Sequence, residues 1–414
     1  MQICIFEDGK FPNFYPLSYS RPVYELICGV RTLKEKIVSY FPNSEISLHC
    51  RNYLGALTKL YNPGYIVNEI KSDECLFING RVLCDGELKK VLDEKNKGDC
   101  IYKNGDDIVA VSLSGKNLEK KKNNFPDTLD FEDLSGLQVI DTKVKTINYI
   151  WNLISENGNQ LLFDIEFLTR QDKSYQSLKE FPAVNFVNPE QIFIGKDVTI
   201  KPGVVIDATH GPVLLDDNVF VFPNVAIEGP VYAGKNSKIK MGATIYENVS
   251  IGNVCKVGGE VEDVIIMPYS NKQHAGFIGH AYLGSWVNLG ADTNCSDLKN
   301  NYSTVRVKLN GKSIDTGSQF LGLMIGDHSK SAINTMFNTG TIVGFSSNIF
   351  GSGFPDKYIP SFSWGGAEGI TTYDLDKGME TARIVMKRRD IDFSAEDEKL
   401  FRYIFDLTTS ERNE

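Results

Sequence analysis

No stretch of these 414 residues is apolar for long enough to span a bilayer as a helix, which excludes a helical membrane protein. The eight cysteines, at 4, 28, 50, 75, 84, 100, 255 and 295, include no Cys-x-x-Cys pair. Their apolar, strand-like surroundings read them as reduced core residues of a cytoplasmic protein. The opening Met1-Gln2-Ile3-Cys4-Ile5-Phe6-Glu7-Asp8 has no basic segment and turns acidic early, so it does not read as a secretory leader. Cations are in deficit: 44 Lys and Arg against 53 Asp and Glu give a net charge of −9. That excludes a general nucleic-acid binder, which needs a basic face, while leaving room for local pockets that hold small anions. Histidine is scarce, five in all, so the placing of three of them (His274, His280, His328) around one polar segment carries information.

What is present is a period of six. Leu215, Val221, Ile227, Ala233, Ile239, Ile245, Ile251 and Val257 are all apolar. The residue four further on is small or β-branched each time: Val219, Val225, Val231, Ser237, Ala243, Val249, Cys255 and Val261. Helices repeat at 3.6 and strands at two, so neither sustains this pattern. A hexapeptide β-solenoid does, because each six-residue unit supplies one short parallel strand and one corner, and stacked coils share one core. The register begins at Ile194, Ile200 and Ile206 and shifts near His210-Gly211-Pro212. It weakens over 263–276, returns at Phe277, Leu283 and Leu289, and resumes from Ile325 to Ile349. The polar segment 294–320 interrupts it. Solenoids accept insertions as outward loops at corners, which often form the binding face.

The first 182 residues read as an α/β domain. A strand at 2–6 enters the polar turn Glu7-Asp8-Gly9-Lys10, and an amphipathic helix is predicted over 24–41. Further strands are predicted at 45–49, 75–79 and 108–113, and ligands bind beyond the carboxyl ends of such strands. Leu17-Ser18-Tyr19-Ser20-Arg21-Pro22, followed by Gly29 and Lys34, resembles the entry loop of the sugar-1-phosphate nucleotidyltransferases. The resemblance implies that Arg21 and Lys34 hold a triphosphate, a task suited to the guanidinium fork. The family's Gly-x-Gly cradle is absent, leaving only Gly9. Arg81 stands where the family carries a magnesium-binding aspartate, so the metal ligands are unknown, with Asp8 the remaining carboxylate candidate.

The stretch His274-Ala275-Gly276-Phe277-Ile278-Gly279-His280-Ala281-Tyr282-Leu283-Gly284, then Val287-Asn288-Leu289-Gly290-Ala291-Asp292-Thr293, carries a second resemblance. It is similar to the acyltransferase half of the bifunctional UDP-N-acetylglucosamine pyrophosphorylase/glucosamine-1-phosphate N-acetyltransferases. That likeness implies His280, Asn288 and Tyr282 as catalytic residues and Lys299 and Asp297 as substrate contacts, with Asp297 where the family has Asn. Histidine suits the chemistry, since it titrates near neutrality and can deprotonate an attacking amine; a wall histidine is the plain alternative, and His274 is a second candidate base.

Helices are predicted at about 374–389 and 394–409, with Asp374 and Ser394 as N-caps. The run Lys387-Arg388-Arg389 suits either CoA phosphates or the negative end of a helix dipole. The chain as a whole resembles a shorter, alternative bacterial (Bacteroidetes-type) form of the bifunctional enzyme. The domains expected are an α/β nucleotidyltransferase-like domain at 1–182, a left-handed parallel β-helix at 183–355 with its insertion loop 294–320, and a helical cap at 356–414. By that resemblance the activities are acetyl transfer from acetyl-CoA to an aminosugar-1-phosphate and nucleotidyl transfer from UTP or dTTP to a sugar-1-phosphate, with Mg2+ as a candidate metal, in a cytoplasmic homotrimer. Three alternatives stand: an acyltransferase alone, a nucleotidyltransferase alone, or a non-catalytic sugar-nucleotide-binding scaffold.

Overall fold

A computed structural model gives the fold and describes residues 1–84, 86–93, 98–122, 125–131, 133–134, 136–171 and 174–412. The chain divides into two compact units. The first comprises Met1–Phe14, Ser20–Leu26 and Arg31–Tyr149; the second comprises Tyr15–Tyr19, Ile27–Val30 and Ile150–Glu414.

The first unit is built on a seven-stranded mixed sheet. Ile66–Val67, Glu45–Leu48, Gln2–Phe6 and Glu74–Asn79 lie parallel in that order. Asp107–Ser114 then runs antiparallel, followed by Cys100–Asn104 and Gln138–Asp141. Gln2–Phe6 is buried along its whole length, as expected of a central strand covered on both faces. The helix predicted over 24–41 is much shorter. Val23–Glu25 is a single 3-10 turn and the α-helix is Leu33–Ser39. Thr32 starts it with a capping box to Glu35, and Gly29 at φ +80° breaks any continuous helix upstream. The apolar spacing was helical, but local cap and turn chemistry decided where the helix begins.

The second unit contains a long run of parallel strands, consistent with a left-handed β-helix. Val213–Leu215 pairs with Val231–Ala233, which pairs with Val249–Ile251, so one coil is eighteen residues, or three hexapeptides. All sixteen positions of the six-residue period are 2% exposed or less, which makes them inward columns. Corners carry Asn218, Asn224, Asn236 and Asn248 at φ near +60°. Asn tolerates this left-handed geometry better than branched residues do.

The regular coil changes after Val257. Val261 pairs with Ile278, a spacing of seventeen. Ile278, at 1% exposure, therefore faces the core, where the six-residue count had placed Phe277. Asp263 and His280 take the left-handed conformation in successive coils, so each strand, Glu260–Ile266 and Phe277–Leu283, bends around a corner without a loop. Asn294–Cys295 still pairs within the wall, Cys295 with Ile278 on one side and the two residues with Met336 and Phe337 on the other, so the insertion expected at 294–320 begins after them; the chain then leaves the wall and folds partly into a hairpin, Arg306–Leu309 with Lys312–Asp315. The wall resumes where Leu283 pairs with Ile325. Parallel pairing continues past residue 355, with Tyr358–Ile359 on Ile342–Val343 and Ser363–Gly366 on Asn348–Ile349.

Helix Leu375–Lys387 is capped by Asp374, and Ala395–Leu407 by Ser394, as their sequences predict. Phe401 of the second packs edge-on against Phe345 and Phe362 of the solenoid. Helix Ile150–Gln171 lies along the solenoid wall. Asn157 Nδ2 donates to the Asn248 carbonyl at 2.7 Å, and Ser250 Oγ donates to Asn157 Oδ1 at 3.0 Å. Among the described residues no helix is long and apolar enough to cross a membrane.

Candidate active site in the solenoid

His280 occupies the corner between two faces of the prism. Its Nδ1 is 2.8 Å from Asp297 Oδ2, and its Nε2 is 3.7 Å from Asp263 Oδ2. Asp297 reaches the ring because it lies two residues beyond the strand Asn294–Cys295, where the chain departs into the insertion. A side chain at Gly279 would collide with the Asp297 carboxylate, so the glycine is required for this approach. Phe320 returns from the insertion to stack on the imidazole, with centroids 4.9 Å apart. A cavity of about 360 Å³ opens beside the ring, lined by Trp151, Ile154, Ser155, Asp263, His280, Ser318, Gln319, Phe320 and Leu321.

Burial alone would lower the His280 pKa. The hydrogen bond with Asp297 and the negative charges of Asp263, Asp297 and Glu262 outweigh it, and the net shift is upward. Burial, with Glu247 and Asp297 nearby, raises the Asp263 pKa against the opposing effects of His280 and Asn248. A carboxylate on Nδ1 fixes ring orientation and leaves Nε2 to exchange a proton with whatever fills the cavity. An activity that needs neutral His280 should therefore rise with pH through a midpoint above the usual 6.5 of imidazole. Asp297→Asn removes one anion and should move that midpoint down; a pH–rate profile of kcat/KM checks both.

The other predicted solenoid residues lie elsewhere. Tyr282 is fully buried; its hydroxyl donates to the Ile27 carbonyl and accepts from the Ile27 amide, both at 2.9 Å. It anchors that segment and does not line the cavity of His280. Lys299 turns back on its own loop, donating to the Thr304 carbonyl. His274 is exposed and lines neither cavity described here.

Asn288 lines a second cavity of about 280 Å³, together with Lys256, Tyr269, Asn271, Gln273, Trp286, Lys330, Val385, Arg388 and Arg389. The structure thus joins Asn288 to two of the three predicted C-terminal cations. Lys387 instead is exposed beside Asp392, at 3.1 Å. Four cations line this cavity, and no carboxylate does among the described residues. Burial pushes Lys330 down to about 8, and burial plus Arg389 and neighbouring cations lowers Lys256. Uncompensated cations around a concavity favour an anionic occupant. Lys256, Lys330 and Trp286 were missed in the sequence because each sits inside an ordinary-looking hexapeptide. Asp263 was missed because it lies in the stretch where the period lapses, although it falls one coil before His280.

In the first unit, Asp8, Arg21 and Lys34 are engaged with different partners. Lys34 Nζ pairs with Glu25 at 2.7 Å and also donates to Asn62. The half-buried Arg21 offers its carbonyl to Arg51, whose guanidinium pairs with the buried Glu7. Asp8 is gripped by Arg81 at 2.6 Å and receives Asn79 Nδ2 at 2.9 Å. Arg81 also pairs with Asp107 at 2.9 Å, and Lys10 reaches Asp107 at 2.6 Å. Burial alone would raise the Asp8 and Asp107 pKa values, but these partners hold both carboxyls below the usual range. Among the described residues no group of three His, Cys, Asp or Glu is placed to hold a metal ion. With a guanidinium already across Asp8, these residues do not fit a magnesium site there.

Residues 3–173 match the sugar nucleotidyl transferase family. Over longer stretches the chain is similar in sequence to bifunctional nucleotidyltransferase/acetyltransferases. It is 30% identical over 262 residues to the bifunctional sugar-1-phosphate nucleotidylyltransferase/acetyltransferase of Sulfurisphaera tokodaii, covering 60% of this chain and 56% of that one. It is 24% identical over 311 residues to the bifunctional protein GlmU of Bartonella quintana, covering 72% and 64%. With the GlmU of Methanocaldococcus jannaschii the identity is 27% over 363 residues, covering 80% and 84%. The chain thus spans less than two thirds of the length of the first two relatives.

Proposed function

We propose that the solenoid transfers an acetyl group from acetyl-CoA to the amine of an aminosugar-1-phosphate. In the same reading, the N-terminal unit transfers a nucleotidyl group from UTP or dTTP to a sugar-1-phosphate. Together the two steps would feed UDP-N-acetylglucosamine or a related nucleotide sugar in the cytoplasm. The observation that carries the first activity is the Asp297–His280 pair at 2.8 Å, with Nε2 open to a cavity. His280 takes a proton from the acceptor nitrogen, whose lone pair then attacks the thioester carbonyl. Asp297 holds the ring and stabilises the imidazolium. Arg388 and Arg389, with Lys256 and Lys330, suit the phosphates of the acyl donor. The family match over residues 3–173 supports the second activity. No step is assigned to magnesium there, since Arg81 neutralises Asp8.

By the same reading the chain works as a homotrimer with the acyl donor bound between subunits, which a solution mass of three chains would support and a monomer would contradict. The activity test is release of free CoA from acetyl-CoA in the presence of glucosamine-1-phosphate, with pyrophosphate release from UTP or dTTP followed separately. CoA release that depends on the acceptor supports the solenoid reading; none with any aminosugar tested contradicts it. Pyrophosphate release that depends on the sugar phosphate supports the second activity. Its absence with every nucleotide leaves the N-terminal unit as a binding domain.

A further inference from the structure

The outward side chains of the solenoid sort by charge. On one face Thr199, Phe220, Lys238 and Lys256 pair in successive coils, and Lys201, Phe222 and Lys240 stand two residues beyond the first three. The strands of this face, Thr199–Ile200, Phe220–Val221, Lys238–Ile239 and Lys256–Val257, contain no Asp or Glu. Lys201 and Lys240 lie over the rings of Phe220 and Phe222, at 5.4 and 4.3 Å from the centroids, so the face offers both cations and aromatic surface. The next face reverses the sign. Asp207 pairs with Glu228, while Ala226, Thr244 and Glu260 pair in the neighbouring column, and Glu262 stands two residues beyond Glu260. Its strands, Val205–Asp207, Ala226–Glu228, Thr244–Ile245 and Glu260–Ile266, contain no Lys or Arg. Lys201, Lys238 and Glu260 are exposed, and Asp207, Glu228 and Lys240 are half-buried. Helix Ile150–Gln171 covers the third face, with Leu161 and Ile165 packed on Leu214 and Tyr232.

Each charged face crowds its own sign. Burial, with Arg389, Lys238, Lys240 and Arg388 near, lowers the Lys256 pKa, whereas Glu260, burial, Glu262 and Glu228 raise that of Tyr246. Like charges fixed on a rigid wall repel, and a surface of opposite sign relieves both. We propose that the basic face of one copy docks on the acidic face of a second, setting the cation-lined cavity of one chain beside His280 of the partner subunit. This rests on the homotrimer and acetyl-transfer reading above and names the surfaces that reading uses. Lys256–Val257 and Glu260–Ile266 are consecutive strands of one coil, so the two stripes end at the same level. Parallel solenoids therefore bring opposite charges together at matching heights. The contact uses a different face of each chain, so it propagates around a ring and does not stop at a dimer. A second copy is the occupant because one chain carries both halves of the match; a separate acidic protein would satisfy the basic face and leave the acidic one uncovered.

Lys256, at the end of the basic stripe, lines the cavity of Arg388 and Arg389, and Glu262, at the end of the acidic stripe, precedes Asp263 in the cavity of His280. An acyl donor anchored by its phosphates on one chain thus delivers its thioester to His280 of the partner subunit. The transfer balances: the C–N bond forms as the C–S bond breaks, His280 carries one ammonium proton to solvent, and the CoA thiolate takes the other.

The solution mass of the full-length chain tests the docking. Lys238→Glu with Lys240→Glu sets acid against acid, and Glu228→Lys with Glu260→Lys sets base against base. Each pair should weaken assembly by about 100-fold or more, read by sedimentation at low salt as loss of the three-chain mass. All four substitutions together restore opposite signs and should recover that mass, which a misfolded variant would not do. Mixed particles test the shared site. Chains carrying Arg388→Glu with Arg389→Glu, and chains carrying His280→Ala, should each release CoA slowly alone. Coexpressed, they should recover about one quarter of the parent's CoA release, since random assembly sets an intact anchor against an intact His280 at about one contact in four. A three-chain particle indifferent to both pairs, or a fourfold variant that stays apart, overturns the docking alone. Mixed particles without recovery overturn delivery between chains. A monomeric parent overturns the docking together with the homotrimer reading. A parent that releases no CoA removes the acetyl-transfer reading, and the masses still decide the docking.

Discussion

Replacing His280 by alanine is expected to slow acetyl-CoA-dependent acetylation by about 10²- to 10⁴-fold, the range for losing a positioned general base. The side chain sits on the solenoid surface at a corner, while the inward columns pack independently of it. The variant should therefore fold, and its thermal midpoint should stay close to the parent's. Two partners localise the effect. Asp297→Asn keeps the shape but replaces the anion on Nδ1, so the ring loses the charge that stabilises its protonated form. It should be impaired less severely than His280→Ala. Tyr282→Phe should leave acetyl transfer nearly intact, because that hydroxyl is spent on Ile27 and lies away from the cavity. An assay in which Tyr282→Phe is crippled and His280→Ala is not would reverse the assignment.

The second large effect is on stability. Arg81→Met should destabilise the N-terminal unit by about 3–5 kcal/mol, the usual result of removing one partner from a buried ion network. Arg81 is 1% exposed, and it spans Asp8, Asp107, Asn148 and the Ile147 carbonyl. Its loss leaves Asp8 with neutral donors such as Asn79 Nδ2, and Asp107 with Lys10, Thr146 and Asn148, so that two buried carboxylates lose the cation they share. The pH dependence follows from the directions of the shifts. Asp8 and Asp107 have folded-state pKa values below the unfolded value near 3.9. Their stabilisation is therefore present above about pH 4 and is lost as pH falls through the folded values. The wild type should lose stability steeply below about pH 4, and Arg81→Met should show a shallower slope there because less remains to be lost. Urea unfolding at several pH values measures both.

The solenoid was legible because its signal is redundant. Sixteen positions obey one rule, and every one is buried. The site was legible only in part, for a geometrical reason. His280 and Asp297 are seventeen residues apart, one coil, and therefore stack. Tyr282 lies only two residues from His280, but the left-handed corner at His280 turns the strand onto the next face, so proximity in sequence became separation in space. Asn288 has a comparable fate and joins the cation-lined cavity. Asp263 could have been found by counting one coil back from His280, had the shortened coil been recognised. Arg81 was visible as a departure from the nucleotidyltransferase pattern, but its grip on both Asp8 and Asp107 depends on pairing across three strands, which no local pattern encodes.

The most direct test of the whole account is the position of a bound acceptor, determined in a crystal structure of the full chain with CoA and an aminosugar. The account requires the amino nitrogen within about 3 Å of His280 Nε2. An acceptor seated instead among Lys256, Lys330 and Arg388, with the cavity of His280 bypassed, would contradict it.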